Sequence, residues 1–354
     1  MNSSLRGRIA VVAVASVGLA FAAQAADPLP KTTVNVVGNL GITTQYKDLE
    51  APFWTHKIPD ASGGAVTAKI KPWNEMGLKG PEVFRLLRQG LFDIATAQMG
   101  HMAGDAPIND ATDLAGVSPT IEVFSQVTQA FRPELERYYE KEFKVKLLGL
   151  WSFQAQVLYC REQIRGLADL KGKRVRTSGA SQSDFIEHFG GSGVSMAFGE
   201  VQQALANGVI DCAITGTLGG YKAKWFESAK FLHPLPINWG SSAQAANLAF
   251  WNKLPAGVQS FLLAQIKTLE ADVWEQNRRE NDLGIACNTG TAPCSEGPAA
   301  RMTLSTVSES DLALRKEALL KTVLPRWAKR CGTDCTARWN ATVGKVVNLQ
   351  ASPN

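Results

Sequence analysis

The stretch Leu167-Ala-Asp-Leu-Lys-Gly-Lys-Arg-Val-Arg176, followed after about twenty residues by Met196-Ala-Phe-Gly-Glu-Val-Gln-Gln-Ala-Leu-Ala-Asn-Gly-Val-Ile-Asp211, decides how this chain folds. Arg174-Val-Arg reads as a strand, Ser181 to Phe189 as a helix stopped by Gly190-Gly191, and Val194 to Ala197 as a second strand. Glu200 to Asn207 follows as a helix closed by Gly208, and Val209 to Thr215 as a third strand. Strands alternating with short amphipathic helices build a largely parallel sheet with right-handed crossovers, so this segment specifies an α/β unit.

The same alternation occupies the first half. Thr33-Val-Asn-Val-Val alternates as a strand, and Gly38 to Gln45 is a turn leading into a helix with Leu49, Phe53 and Trp54 on one side. Thr67 to Pro72 is the next strand. Pro81-Glu-Val-Phe-Arg-Leu-Leu-Arg-Gln-Gly90 has proline at a helix start, Val83, Phe84, Leu86 and Leu87 on one face, and glycine as the stop. Phe92 to Ala97 follows as a buried strand, and Lys144 to Trp151 and Gln154 to Cys160 add two more. Two α/β units in succession predict two lobes, with a cleft at the carboxyl ends of the strands where a small ligand binds. Residues 254 to 285 carry a continuous helical pattern, roughly 40 Å long at 1.5 Å per residue and so able to run across both lobes. Asn288 to Pro298 is a loop, and Ser305 to Val347 is again helical.

With 354 residues, 45% hydrophobic and 19% charged, the chain is long enough for about two domains. Its 37 basic and 32 acidic residues are spread evenly, and a net charge of +5 is too small for a nucleic-acid-binding surface. Arg6 and Arg8 form a basic start, Ile9 to Ala23 is an apolar run, and Ala23-Gln-Ala25 supplies the small residues of a cleavage site. The run is shorter than the roughly 20 residues that cross a bilayer, so residues 1–25 read as a secretory signal peptide cut after Ala25. Losing Arg6 and Arg8 leaves 35 basic against 32 acidic residues, a net charge of about +3. The mature protein is expected to be exported and soluble.

Export turns the six cysteines into candidate disulfides. Cys287 and Cys294 bracket a Gly/Thr/Pro-rich loop, and Cys331 and Cys335 bracket Gly-Thr-Asp, so both pairs can close locally. Cys160 and Cys212 remain, each at the end of a β-like run, and can meet if those runs are neighbouring strands. No CxxC occurs and His56, His101, His188 and His233 are scattered, so no metal site is expected. GxSxG, HExxH and Walker loops are all absent, and Gly190-Gly-Ser-Gly follows a helix where a phosphate loop would precede one. We therefore expect no cofactor and no enzyme activity.

The DLKG-x-K-x-R strand ending at Arg176 and the FxEVxxALxxGxxD segment from Phe198 to Asp211 resemble the solute-binding proteins of tripartite ATP-independent periplasmic (TRAP) transporters, of the dicarboxylate-binding type. The resemblance extends more weakly over nearly all the mature chain. It implies a two-lobed periplasmic binding protein of α/β class, with a ligand cleft between the lobes and a long helix spanning both. Lobe I is then residues 26–153 and 240–280, and lobe II residues 154–239 and 281–354. It further implies a periplasmic monomer that hands a small-molecule carboxylate to membrane permease subunits, closing around its hinge as it binds, with no nucleotide site.

In this family a strand arginine at the position of Arg176 pairs with the substrate carboxylate, and a planar guanidinium held on a strand suits that task where lysine does not. Phe198 matches an aromatic that packs on the ligand in sialic-acid-binding members, although Phe beside Met196 reads equally well as core. Gln98 lies where those members place a ligand-contacting Glu, Gln156 where they use a second Arg, and Thr215 where many have Asn. These exchanges remove polar handles, so a small or aromatic monocarboxylate is expected. Trp239 lies near the aromatic that caps ligands in keto-acid-binding relatives, with an ordinary packing role the alternative. Lys171, Lys173 and Arg174 read as solvated charges, and Tyr221 as a residue able to line the cleft. Two other readings remain: an exported enzyme acting on a small carboxylate through Glu200 or His188, and the ligand-binding component of a sensor system.

Overall fold

The computed structural model describes residues 28–353, so the expected signal peptide and its cut after Ala25 lie outside the described residues. Eleven strands are present among them: β1 (Thr32–Gly38), β2 (Val66–Pro72), β3 (Ile94–Gln98), β4 (Val145–Trp151), β5 (Gln156–Cys160), β6 (Arg174–Thr177), β7 (Ser192–Ser195), β8 (Cys212–Gly216), β9 (Phe231–Asn238), β10 (Ser242–Asn247) and β11 (Thr303–Leu304). They form two sheets, ordered β2-β1-β3-β10-β4 and β11-β9-β5-β8-β6-β7. The first sheet draws its strands from before residue 152 apart from β10, and the second from after residue 155. Two successive α/β units are therefore present, as the alternation predicts.

The sheets are mixed, where the sequence pattern predicts largely parallel ones. β1 runs parallel to β2 and β3, but β10 lies antiparallel between β3 and β4. In the second sheet β6 is parallel to β7 and β8, and β5 is antiparallel to both β8 and β9. β10 has no strand signal, since Ser242-Ala-Gln-Ala-Ala-Asn247 lacks β-branched and aromatic residues, yet every one of its residues is buried. Small side chains suit a strand enclosed on both faces, and tertiary packing overrides its weak propensity. β7 and β8 are also displaced from their expected spans, and the helix Ile121–Tyr138 arises where no element was expected.

Helix Gly80–Gln89 confirms the reading of its sequence. Val83, Phe84 and Leu87 are buried on one face, and Gly90 ends the helix at φ 81°, a conformation costly for residues with a Cβ. The long helix runs over Ala256–Thr289, 34 residues or roughly 50 Å. Along the first sheet it buries Val258, Leu262, Ile266, Leu269 and Val273, and the indole of Trp274 donates to the Leu150 carbonyl of β4 at 3.1 Å. Along the second, Thr217 Oγ1 donates to the Asn281 carbonyl at 2.9 Å, and Gly284 lies so close to the Leu218 amide that a methyl group there would sit 2.3 Å from it. One element thus touches both lobes.

All three expected disulfides are present: Cys160–Cys212, Cys287–Cys294 and Cys331–Cys335. Cys160 and Cys212 are directly paired residues of the β5–β8 ladder. The C-terminal helices are fastened on the first-sheet side as well. Trp327 donates to the Pro107 carbonyl and Trp339 to that of Ala111, both at 2.8 Å.

Candidate functional site

A narrow cleft opens where strand ends of both sheets meet the chain segment crossing between them. Gln98, at the end of β3, comes from the first sheet; Arg176 of β6 and Thr215 of β8 come from the second; Phe153 and Gln154 lie on the crossing from β4 to β5. Five of the six residues expected from the sequence, Gln98, Gln156, Arg176, Phe198 and Thr215, line it together. Trp239 does not. Its indole donates to the Ser118 carbonyl at 3.0 Å and its backbone amide to Asp113 at 2.8 Å, so the structure gives it a packing role.

Arg176 is 3% exposed. Its Nε donates to the Met196 carbonyl at 3.1 Å and its Nη1 to the Ile214 carbonyl at 2.8 Å, and no acidic side chain among the described residues pairs with it. The guanidinium carbon lies 5.9 Å from the Trp225 ring centroid. Burial pushes its pKa down to about 10, which leaves it charged at neutral pH. A buried guanidinium held by carbonyls and an aromatic face, with no acidic side chain among the described residues to pair with it, keeps an uncompensated positive charge at the cleft. Two residues earlier, the exposed Arg174 meets both carboxylate oxygens of Asp211, at 3.0 and 2.7 Å, and so has an acidic partner within the chain.

Apart from Lys222, the remaining lining is neutral. Gln156 Nε2 donates to the Gln154 carbonyl at 3.0 Å, and Phe198 lies at the rim with its ring 5.3 Å from that of Trp225. His101 also lines the cleft, and burial, reinforced by Arg176, pushes its pKa down to about 4, so it is uncharged. Lys222 is the other basic lining residue and is ion-paired with Glu296. Tyr221, a further candidate, instead donates to the Pro298 carbonyl at 2.9 Å.

Sequence reasoning missed His101, Gln154, Thr43, Thr44 and Ser178 as lining residues. Gln154 carried a signal, because a segment that crosses between lobes must border the cleft. His101 lies on the turn directly after β3 and was readable only as one of several scattered histidines. For the enzyme reading, His188 Nδ1 is bonded to Thr322 Oγ1 at 2.7 Å, and neither His188 nor Glu200 lines this cleft.

A cleft between two α/β sheets, spanned by one helix and holding a buried unpaired cation, defines a two-lobed solute-binding protein. Residues 41–286 match the family model of the bacterial extracellular solute-binding proteins, family 7, and the chain belongs to that family. A solute-binding protein of Albidiferax ferrireducens is 24% identical over 189 residues, 53% of this chain and 55% of the relative. The chain thus spans about half the length of that curated relative. A Bordetella pertussis extracytoplasmic solute receptor binding pyroglutamic acid has a TM-score of 0.74 at 21% identity, covering 87% of this chain and 98% of its own. A TRAP periplasmic solute binding protein from Desulfovibrio salexigens with bound orotic acid has a TM-score of 0.79 at 16% identity, covering 89% and 99%. At these identities the solved structures share the fold.

Proposed function

We propose that this protein is the periplasmic receptor of a TRAP transporter, taking a small or aromatic monocarboxylate between its lobes and handing it to the membrane permease. The observation that carries the reading is Arg176, a guanidinium buried in the cleft with no acidic partner. A carboxylate supplies that partner through paired charge-assisted hydrogen bonds. The lining favours one negative charge over two: Lys222 is already paired with Glu296, His101 is neutral, and the other polar lining groups are uncharged. Similar solved structures hold pyroglutamic acid, orotic acid, malonate and succinate, which supports a carboxylate, while the preference for one charge rests on the lining.

The two sheets support lobe I as residues 26–153 and 240–280 and lobe II as 154–239 and 281–354, with the C-terminal helices strapped back onto lobe I through Trp327 and Trp339. Closure over the ligand would turn about the crossings near Gln154 and Trp239 and the long helix. The test is to release the small molecule that co-purifies from the periplasm, identify it by mass spectrometry, and titrate it calorimetrically. A carboxylate should bind wild type and lose at least roughly 2 kcal/mol on Arg176→Ala. A ligand without a carboxylate, or an unchanged affinity in the variant, would sink the reading.

A further inference from the structure

We propose that Gln154 is the specificity-determining residue of this cleft, its Oε1 accepting a hydrogen bond from an N–H or O–H group on the ligand. The inference rests on the carboxylate reading and adds a second requirement to it: an acid that also carries a hydrogen-bond donor.

The orientation of the Gln154 amide is fixed by a chain of hydrogen bonds in the hinge. Asn277, on the long helix, donates through Nδ2 to the carbonyls of Ser152 at 2.8 Å and Val273 at 2.9 Å. Carbonyls only accept, so Asn277 has no choice of orientation and turns Oδ1 toward Gln154. Gln154 must then present its amino group, and Nε2 donates to Asn277 Oδ1 at 2.9 Å and to Glu280 Oε2 at 2.7 Å. Oε1 is left over. Gln154 is 4% exposed, lines the cleft, and its Oε1 has no hydrogen-bond partner. Buried amide oxygens are paired in the great majority of cases, so a fixed one left unpaired beside a binding cleft calls for a donor from outside the chain.

That oxygen is enclosed in this structure, with the Gly216 backbone packed against it. A methyl group at Gly216, itself a lining residue, would sit 2.6 Å from Gln154 Oε1 and 3.4 Å from Gln156 Nε2. The missing side chain at 216 is therefore what lets the amide hold this position, since a methyl group there would push it aside. Gly216 has φ −59° and ψ 146°, an ordinary extended conformation, so its backbone does not require glycine and the close approach does. The other orphan on a lining residue, His101 Nδ1, faces Gly80, where a methyl group would lie 2.0 Å away.

Two isosteric ligand pairs test this on the full-length secreted protein by calorimetry: pyrrole-2-carboxylate against furan-2-carboxylate, and pyroglutamate against its lactone counterpart. In each pair a ring N–H is replaced by oxygen with the carboxylate unchanged. The N–H member of at least one pair should bind roughly tenfold or more tightly, since a buried acceptor is left unpaired by the oxygen analogue. Gln154→Leu should bring that ratio to about one. Gly216→Ala, which keeps the amide but fills the space beside it, should do the same, so the test survives if Gln154→Leu fails to fold. Equal affinity within both pairs, or a preference that persists in both variants, overturns the role of Gln154 and leaves the carboxylate reading standing. Failure of all four acids to bind at millimolar concentration overturns the two readings together.

Discussion

Arg174 and Arg176 show how two identical residues on one short strand acquire opposite roles. Arg174 is neutralised by Asp211 on the next strand's approach, whereas Arg176 is buried beside the cleft with carbonyls for company. Replacing Arg174 by alanine should therefore leave ligand affinity within about threefold of wild type, in contrast to Arg176→Ala. Calorimetry on both variants with the same carboxylate checks the separation, and a comparable loss in the two would mean the cleft is read wrongly. From the sequence, both arginines sit in the same family motif. Only the position of Asp211 relative to the strand ladder tells them apart.

At the scale of elements, the return crossing from β9 to β10 is held by one carboxylate. Asp113 accepts from Asn238 Nδ2 and from the backbone amides of Trp239, Gly240 and Ser241, all at 2.8–3.0 Å. Asn238 in turn accepts from Gln182 Nε2 at 2.8 Å, and Gln182 Oε1 accepts from the backbone amide of Ser178, a cleft residue, also at 2.8 Å. A continuous polar chain thus links the cleft lining to the return crossing. Asp113→Asn turns one acceptor into a donor facing donors, and should cost about 3 kcal/mol in urea denaturation, the scale for leaving buried polar groups unpaired. A loss under about 1 kcal/mol would show the crossing to be held by packing alone. The long helix shows the same division of labour. Its apolar row Val258 to Val273 gives way to Asn277 and Glu280 where it meets the backbone of the outward crossing.

Across the whole molecule, four buried carboxyl groups set an unusual pH dependence. Burial pushes Asp113 up to about 6, Glu50 and Glu280 up to about 7 and Asp110 up to about 8. Each pKa is higher in the fold than in the unfolded chain, so the stability they confer is complete below about pH 4 and is lost as pH rises through 6 to 8. Burial lowers the pKa of His101 and His233 instead, so their contribution is lost as pH falls below about 6.5. Between about pH 4.5 and 6.5 the raised carboxyls outnumber the lowered histidines, so the melting temperature should already be falling above about pH 5 and should drop by at least a further 2 °C or so between pH 6.5 and 8.5. Glu50→Gln with Asp110→Asn should flatten the alkaline limb. A melting temperature that rises from pH 6.5 to 8.5 would contradict the assignment.

The sequence by itself determined the α/β alternation, the long helix, the three cysteine pairs and the cluster of Arg176, Gln156, Phe198, Gln98 and Thr215. These rest on local periodicity, on short spacings and on a family motif, all of which are written within tens of residues. Tertiary structure alone decided that β10 is a central antiparallel strand, that Trp239 faces Ser118 and Asp113, and that Gln154 and His101 border the cleft. Those outcomes depend on partners more than 100 residues apart, as between Gln154 and Asn277 or Asp113 and Ser241. A side chain's type limits which bonds it can make, but which of its atoms is left free depends on what the rest of the chain brings beside it.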